Sequence, residues 1–351
     1  MESGPGVIGS IRSMAVSRTG EMYVLDSQFG NVKVFDSTGA FVRMFGRPGQ
    51  GPGELDHARS ISVGNDTVFV LGERITMFST AGAFLGLSPS SVGRLMYASR
   101  IIHTSHGLLA EFDSRGAERG DVREDVIELL PVDIRNAAFA PPVARVPRSV
   151  HQYGMGMEGT QHLANFAEVW IEPNGVVNVS AADGSFTVSR TTFDGDSLPP
   201  IRSETERIRT TKQDFEDRIG HWTQLIARLS PRDTAMIPEM ERLLRKGKPV
   251  EFRPAIGLIA SGENGTLIER YDVSERPYAV FATELRSAWV WILPNGQPAL
   301  RIMLPNGFRP VAFAGCRVTG TIPDDSGRDL IVAYRLSVPG YAPCDGPIAA
   351  A

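Results

Sequence analysis

Between Arg12 and Leu87 the chain writes one unit twice, and that repetition constrains the fold more than any other feature. The first copy runs Arg12-Ser13-Met14-Ala15-Val16, Met22-Tyr23-Val24-Leu25-Asp26, Val32-Lys33-Val34-Phe35 and Phe41-Val42-Arg43-Met44-Phe45. The second runs Arg59-Ser60-Ile61-Ser62-Val63, Val68-Phe69-Val70-Leu71, Ile75-Thr76-Met77-Phe78 and Phe84-Leu85. Each is four short runs of strand-formers, separated by the Gly, Asn, Asp and Ser that hairpin turns demand. Matching positions recur at a near-constant interval: Arg59 follows Arg12 by 47 positions, and Gly82 follows Gly39 by 43. A four-stranded unit at that period describes one blade of a propeller.

The chain has 351 residues. Six blades of about 43 residues use roughly 258 of them and leave roughly 93 for insertions and ends, whereas seven leave roughly 50. Long irregular passages favour six. The chain therefore reads as one all-β domain over 1–351, a six-bladed β-propeller of four-stranded antiparallel blades. Between the first two blades lies Gly46-Arg47-Pro48-Gly49-Gln50-Gly51-Pro52-Gly53-Glu54-Leu55. It lacks the Gly-Lys-Ser/Thr ending of a phosphate cradle and no amphipathic helix follows it, so it reads as an inter-blade crossing.

This arrangement of strand, Tyr23-Val24-Leu25-Asp26, Phe35-Asp36-Ser37-Thr38-Gly39 and the Gly-rich crossing resembles bacterial six-bladed propellers of the NHL or TolB-like type, over about residues 7 to 87. The resemblance implies the fold and, commonly, export to the periplasm or beyond. It does not imply one activity, because such propellers serve as binding modules, lyases and lactonases, some with channel metals.

Further along, Arg100–His103, Leu108–Phe112 and Val126–Leu130 are expected as strands of a third blade, with 138–159 a long crossing loop. Glu168–Glu172, Val176–Val179 and Phe186–Val188 follow as a fourth. At 211–246 the style changes: Phe215, Ile219, Trp222, Ile226 and Leu229 recur at three and four residues, and Thr211 with Asp214 makes a capping pair. Two amphipathic helices inserted between blades four and five are expected there. Ala255–Ile259, Thr266–Ile268, Tyr278–Phe281, Trp289–Ile292 and Ala299–Met303 make a fifth unit. Val311–Phe313, Cys316–Gly320 and Leu330–Tyr334 make a sixth, whose missing strand is expected from Val7-Ile8. A Pro-rich tail, 337–351, closes the chain.

The formal net charge of −4 provides no broad basic field for nucleic acid or an anionic membrane, and neither is expected as a partner. No apolar run approaches the roughly 18 residues of a membrane helix. Met1-Glu2-Ser3-Gly4-Pro5-Gly6 has no signal-peptide character, although maturation or truncation would remove such evidence, so the compartment stays open. Cys316 and Cys344 could close a loop that pins the tail in an oxidising compartment, worth roughly 3–4 kcal/mol, or be unrelated thiols in a reducing one.

Arginine recurs where the innermost strand begins in most of the units: Arg12, Arg59, Arg100, Arg253 and Arg309. Pointing inward, they would form a collar for a carboxylate, phosphate or sulfated group; paired with neighbouring acids, they would only stitch the ring. An alternative set, His57, His103 and His162, could hold zinc, or calcium could bind, in a hydrolase- or lyase-like channel, but no two of these have a local ligand spacing. Neither Gly-x-Ser-x-Gly nor Cys-x-x-Cys occurs. The reading is a non-catalytic module binding a protein or small anionic ligand at the channel mouth, with no cofactor. A metal-dependent hydrolase or lyase is the alternative.

Overall fold

The computed structural model describes residues 4–336 except 90–92, 115–117, 120–121, 137, 153–157, 161–166, 230, 246–249, 280–281, 283, 315 and 325–328. In blade 1 the strands Ile11–Val16, Met22–Asp26, Asn31–Phe35 and Phe41–Phe45 pair antiparallel in chain order. All five residues of Met22–Asp26 are buried, as a strand covered on both faces requires. Blade 2 repeats the order with Ser60–Gly64, Thr67–Leu71, Ile75–Ser79 and Phe84–Leu87. The innermost strands of blades 3 to 6 are Ala98–Thr104, Val169–Ile171, Ile256–Gly262 and Arg309–Ala314.

An apolar cluster fills each junction between sheets. Tyr23, Leu25 and Phe45 meet Ile61, Val70 and Phe78 between blades 1 and 2; Leu71 and Ile75 meet Ile101 and Phe112 between 2 and 3. Leu109 and Leu129 meet Val169 and Val177 next, then Trp170 and Val188 meet Ile256 and Ile268. Trp289 and Trp291 pack edge-on to Phe308 and Phe313 between blades 5 and 6. The last cluster joins Met14, Met22 and Val24 of blade 1 to Ile331 of blade 6 and closes the ring. Each large apolar side chain buried this way contributes about 1.5–3 kcal/mol. The molecule is thus a six-bladed β-propeller.

An innermost strand leaves an open edge toward the channel, and serine hydroxyls answer it. Ser13 Oγ accepts from the Ile61 amide (3.2 Å), Ser60 Oγ from Ile101 (3.2 Å) and Ser62 Oγ from His103 (2.9 Å). In the repeated Arg-Ser pair, the serine links consecutive blades. Ser60→Ala leaves the Ile101 N–H without its acceptor, and a loss of about 1–3 kcal/mol is expected in urea unfolding. A change under about 0.5 kcal/mol would mean that channel water replaces the hydroxyl.

Three sequence expectations need correction. Within 138–159, Ala144–Gln152 is not a loop but a strand paired with Val122–Asp133, and Glu158–Thr160 pairs beyond it. Pro147 disguised it. At that position the strand is the sheet's edge, where a missing N–H is tolerated, while Val146 beside it is buried. Tyr278 lies in a turn of the connection between Gly265–Arg270 and Arg286–Ile292, buried edge-on to Tyr271, and not in a strand. Val7-Ile8 does not complete blade 6, which has three strands among the described residues. The segment is instead pinned to blade 1: the buried Asp26 carboxylate accepts from the Gly9 and Ser10 amides and from Lys33, which also donates to the Val7 carbonyl.

The insertion forms helices α1 (Lys212–Leu229) and α2 (Ile237–Leu244). Thr211 and Asp214 cap α1 reciprocally, with the Asp214 amide donating to Thr211 Oγ1 (3.1 Å) and the Thr211 amide to Asp214 Oδ2 (2.9 Å). Arg245 joins the two helices through a forked pair to Glu216. No helix among the described residues is long and apolar enough to cross a membrane. Cys316 is buried between blades 5 and 6 and is not a free thiol; Cys344 and the tail lie outside the described residues.

Candidate functional site

All six innermost strands run the same way, so the channel has one face where they begin and one where they end. The five arginines belong to the first face, and their partners separate them into two groups. Arg253 is buried: Nη2 donates to Asp214 Oδ1 and Oδ2 (2.9 and 3.0 Å), and Nη1 to the carbonyls of Ser274 and Tyr271 (2.7 and 3.1 Å). It anchors α1. Arg100 pairs with Glu111 opposite it on the next strand (2.7 Å). Both charges are neutralised within the fold.

The other three are not. Arg59 donates to the carbonyls of Ala98 (2.8 Å) and Leu95 (2.5 Å), which fixes its guanidinium against blade 3 with no carboxylate at ion-pair distance among the described residues. Burial, then the neighbouring Arg12 charge, lower its pKa, and Glu73 opposes them. Among the described residues Arg12, Arg59 and Arg309 make no ion pair, whereas thirteen other arginines do. Arg309 faces α1. The imidazole of His221 is pushed down to about 4 by burial, then by the charges of Arg218 and Arg309. Blades 6, 1 and 2 are consecutive in the ring, so Arg309, Arg12 and Arg59 occupy matching positions on neighbouring blades.

The histidines do not converge. His57 Nδ1 lies 2.7 Å from Asp56 Oδ1 and 3.9 Å from Glu73 Oε1, an exposed group on the arginine face. His103 belongs to the opposite face: its ring stacks on Phe69 (5.8 Å between centroids), and a Cβ on Gly64 would sit 2.0 Å from its Nδ1. The whole strand Ser60–Gly64 separates the two imidazoles, about 16 Å at the rise of an extended chain. One ion cannot take both, and His162 lies outside the described residues.

At the face where the strands end is a cup of about 590 Å³ that receives residues from every blade. Arg18 and Glu21 come from the first hairpin, Asn65 and Asp66 from the second, and His103 and Ser105 from the third. Pro173, Glu263 and Phe313 represent blades 4 to 6. Glycine makes the close approach possible, since a Cβ on Gly262 would fall 1.3 Å from the Phe313 carbonyl oxygen. Arg18 pairs with Glu263 across blade 6. Arg43 holds Glu21 in a fork (2.9 and 3.2 Å) and keeps its carboxyl below the usual range. Burial, then Arg18, lower the His103 pKa, so its ring is neutral at pH 7. Apart from His103, weighed as a metal ligand, and Phe313, read as a strand residue, the sequence reading takes these residues as hairpin turns; the available signal was Asn65-Asp66, where an Asn-Gly turn would be less strained.

The sequence profile of the family DUF5128, described as a 6-bladed beta-propeller, matches residues 6–128, about a third of the chain. Among solved structures, a candidate exported protein of Bacteroides fragilis is similar at 12% identity and a TM-score of 0.49, covering 96% of this chain and 94% of that one. A DUF4221 family member from Bacteroides vulgatus is similar at 8% identity and 0.48, covering 95% of each. Virginiamycin B lyase from Staphylococcus aureus is similar at 9% identity and 0.35, covering 93% and 85%. A comparison with curated proteins finds no match.

Proposed function

We propose that the protein is a non-catalytic binding module that holds an anionic group of a small ligand or partner protein on the arginine face of its channel. The observation behind this reading is uncompensated charge. Arg12, Arg59 and Arg309 stand on three consecutive blades with no carboxylate at ion-pair distance among the described residues, while Arg100 and Arg253 at matching positions are neutralised. A guanidinium fixed by two carbonyls, as Arg59 is, loses little freedom when it takes up a carboxylate, phosphate or sulfate oxygen. The separation of His57 from His103 weighs against a shared channel metal. Pairing of Cys316 with Cys344 and residence in an oxidising compartment belong to the same proposal, supported by the bonded state of Cys316.

Calorimetry with citrate and with inorganic phosphate at low salt tests the reading. Arg12→Ala/Arg309→Ala should weaken binding at least about tenfold, since each lost charged hydrogen bond is worth about 1.5–3 kcal/mol. Arg100→Ala, whose charge is already satisfied by Glu111, should stay within about twofold. Failure of the wild-type protein to bind either anion, or equal binding by the double variant, would remove the proposal.

A further inference from the structure

The cup at the opposite face has no part in the anion reading, and its chemistry differs. It is lined by the hydroxyl-bearing Ser17, Thr19, Ser105 and Ser261, by Asn65, Asp66 and Glu263, and by the apolar Val16, Val63 and Phe313. Its charges nearly cancel within the protein. Arg18 answers Glu263 and Arg43 answers Glu21, which leaves Asp66 without an ion pair among the described residues.

Each ligand class meets this lining differently. An anion would approach Asp66 and Glu263 at short range and be repelled. An apolar molecule would strip water from hydroxyls, amide and carboxylates and return no hydrogen bond. A molecule whose own hydroxyls both donate and accept suits a wall that mixes donors with acceptors. Carboxylates and a guanidinium can also each engage two adjacent hydroxyls at once. The Arg18–Glu263 pair is no obstacle, because Arg18 is 82% exposed and such exposed pairs are held weakly. A volume of about 590 Å³ lies within the range of small-molecule sites.

The backbone adds an independent observation. Asn65 and Asp66 both have positive φ, 49° and 59°, the conformation of a hairpin turn that prefers glycine at its second position. Here an aspartate occupies that position, exposed and part of the cup's lining.

We infer that the cup is a second binding site, for a neutral saccharide, with Asp66, Glu263 and Arg18 as the groups that grip its hydroxyls. Saturation-transfer NMR and titration with glucose, galactose, maltose and cellobiose test it, with glucuronate as the charged counterpart of glucose. At least one neutral sugar should bind, and glucuronate should bind at least about fivefold more weakly than glucose. Asp66→Gly, which installs the preferred Asn-Gly turn and so keeps the hairpin, should weaken sugar binding about tenfold, as should Glu263→Ala. Arg12→Ala/Arg309→Ala should leave sugar binding unchanged, which separates this site from the anion site on the other face. Three results would overturn the inference: no binding by any of the four sugars, glucuronate binding as tightly as glucose, or full affinity in the folded Asp66→Gly protein.

Discussion

Arg253→Ala is expected to cost the fold about 3–5 kcal/mol, because it leaves a buried carboxylate without its counter-ion. Asp214 is 2% exposed and Arg253 5%, so water cannot step in for the missing guanidinium. The same side chain donates to the carbonyls of Ser274 and Tyr271, so three parts of the chain, the α1 cap, the strand lead-in and the blade 5 connection, lose one shared tie. Among the described residues the insertion is also tied to the propeller by Arg276 to Asp217 and by Arg218 over the Tyr278 ring, neither of which replaces a fully buried ion pair. The loss should therefore appear locally first. Limited proteolysis within 212–245 should accelerate at denaturant concentrations where the blades remain folded. Asp214→Ala in the Arg253→Ala background should restore part of the stability, since an empty site is less costly than half of a buried pair. A loss below about 1 kcal/mol with unchanged cleavage would show that the pair does not anchor the helices.

The propeller was legible in the sequence because each blade is built from local signals. Strand-formers, turn residues and a period near 43 lie within one unit, and the six junction clusters follow from strands that are apolar on both faces. What failed to show was whatever depends on a partner in another blade. Arg12, Arg59, Arg100, Arg253 and Arg309 look alike in sequence, yet Arg253 finds Asp214 at 39 positions' distance and Arg59 finds Leu95 and Ala98 across a blade junction. The serines beside the first two arginines carry the inter-blade bonds, and nothing in an Arg-Ser pair announces which residue is structural. The cup was hidden for the related reason that it is assembled from six hairpin ends, each ordinary alone. Pro147 shows the opposite failure, a local breaker overruled because it sits at an open sheet edge.

Glu269 should make the protein lose stability between about pH 4.5 and 7. It lies on the second strand of blade 5, opposite Trp289, and burial pushes its pKa from 4.5 up to about 7. Hydrogen bonds from the Leu258 amide (3.2 Å) and the Ser287 hydroxyl act in the opposite direction and only partly offset burial. The Leu258 bond depends on a break in register between Ile256 and Ile259. It also depends on Gly257, where a Cβ would stand 2.6 Å from Glu269 Oε2 and 2.3 Å from the Tyr271 ring. Because the folded pKa is raised, the folded chain binds more protons than the unfolded one throughout this window, and stability falls as pH rises through it. The full effect is roughly 3 kcal/mol at pH 7.5, from about 1.36 kcal/mol per pKa unit. Histidines work against this trend: His103 and His221 have lowered values, so they add stability as pH rises toward 6.5. The comparison must therefore be made against Glu269→Gln, which keeps an acceptor for Leu258 but never ionises. Urea unfolding should give near-equal stabilities at pH 4.5 and a variant that is more stable by up to roughly 3 kcal/mol at pH 7.5. A difference that does not change across this range would mean that Glu269 reaches water in the channel and titrates as an ordinary carboxylate.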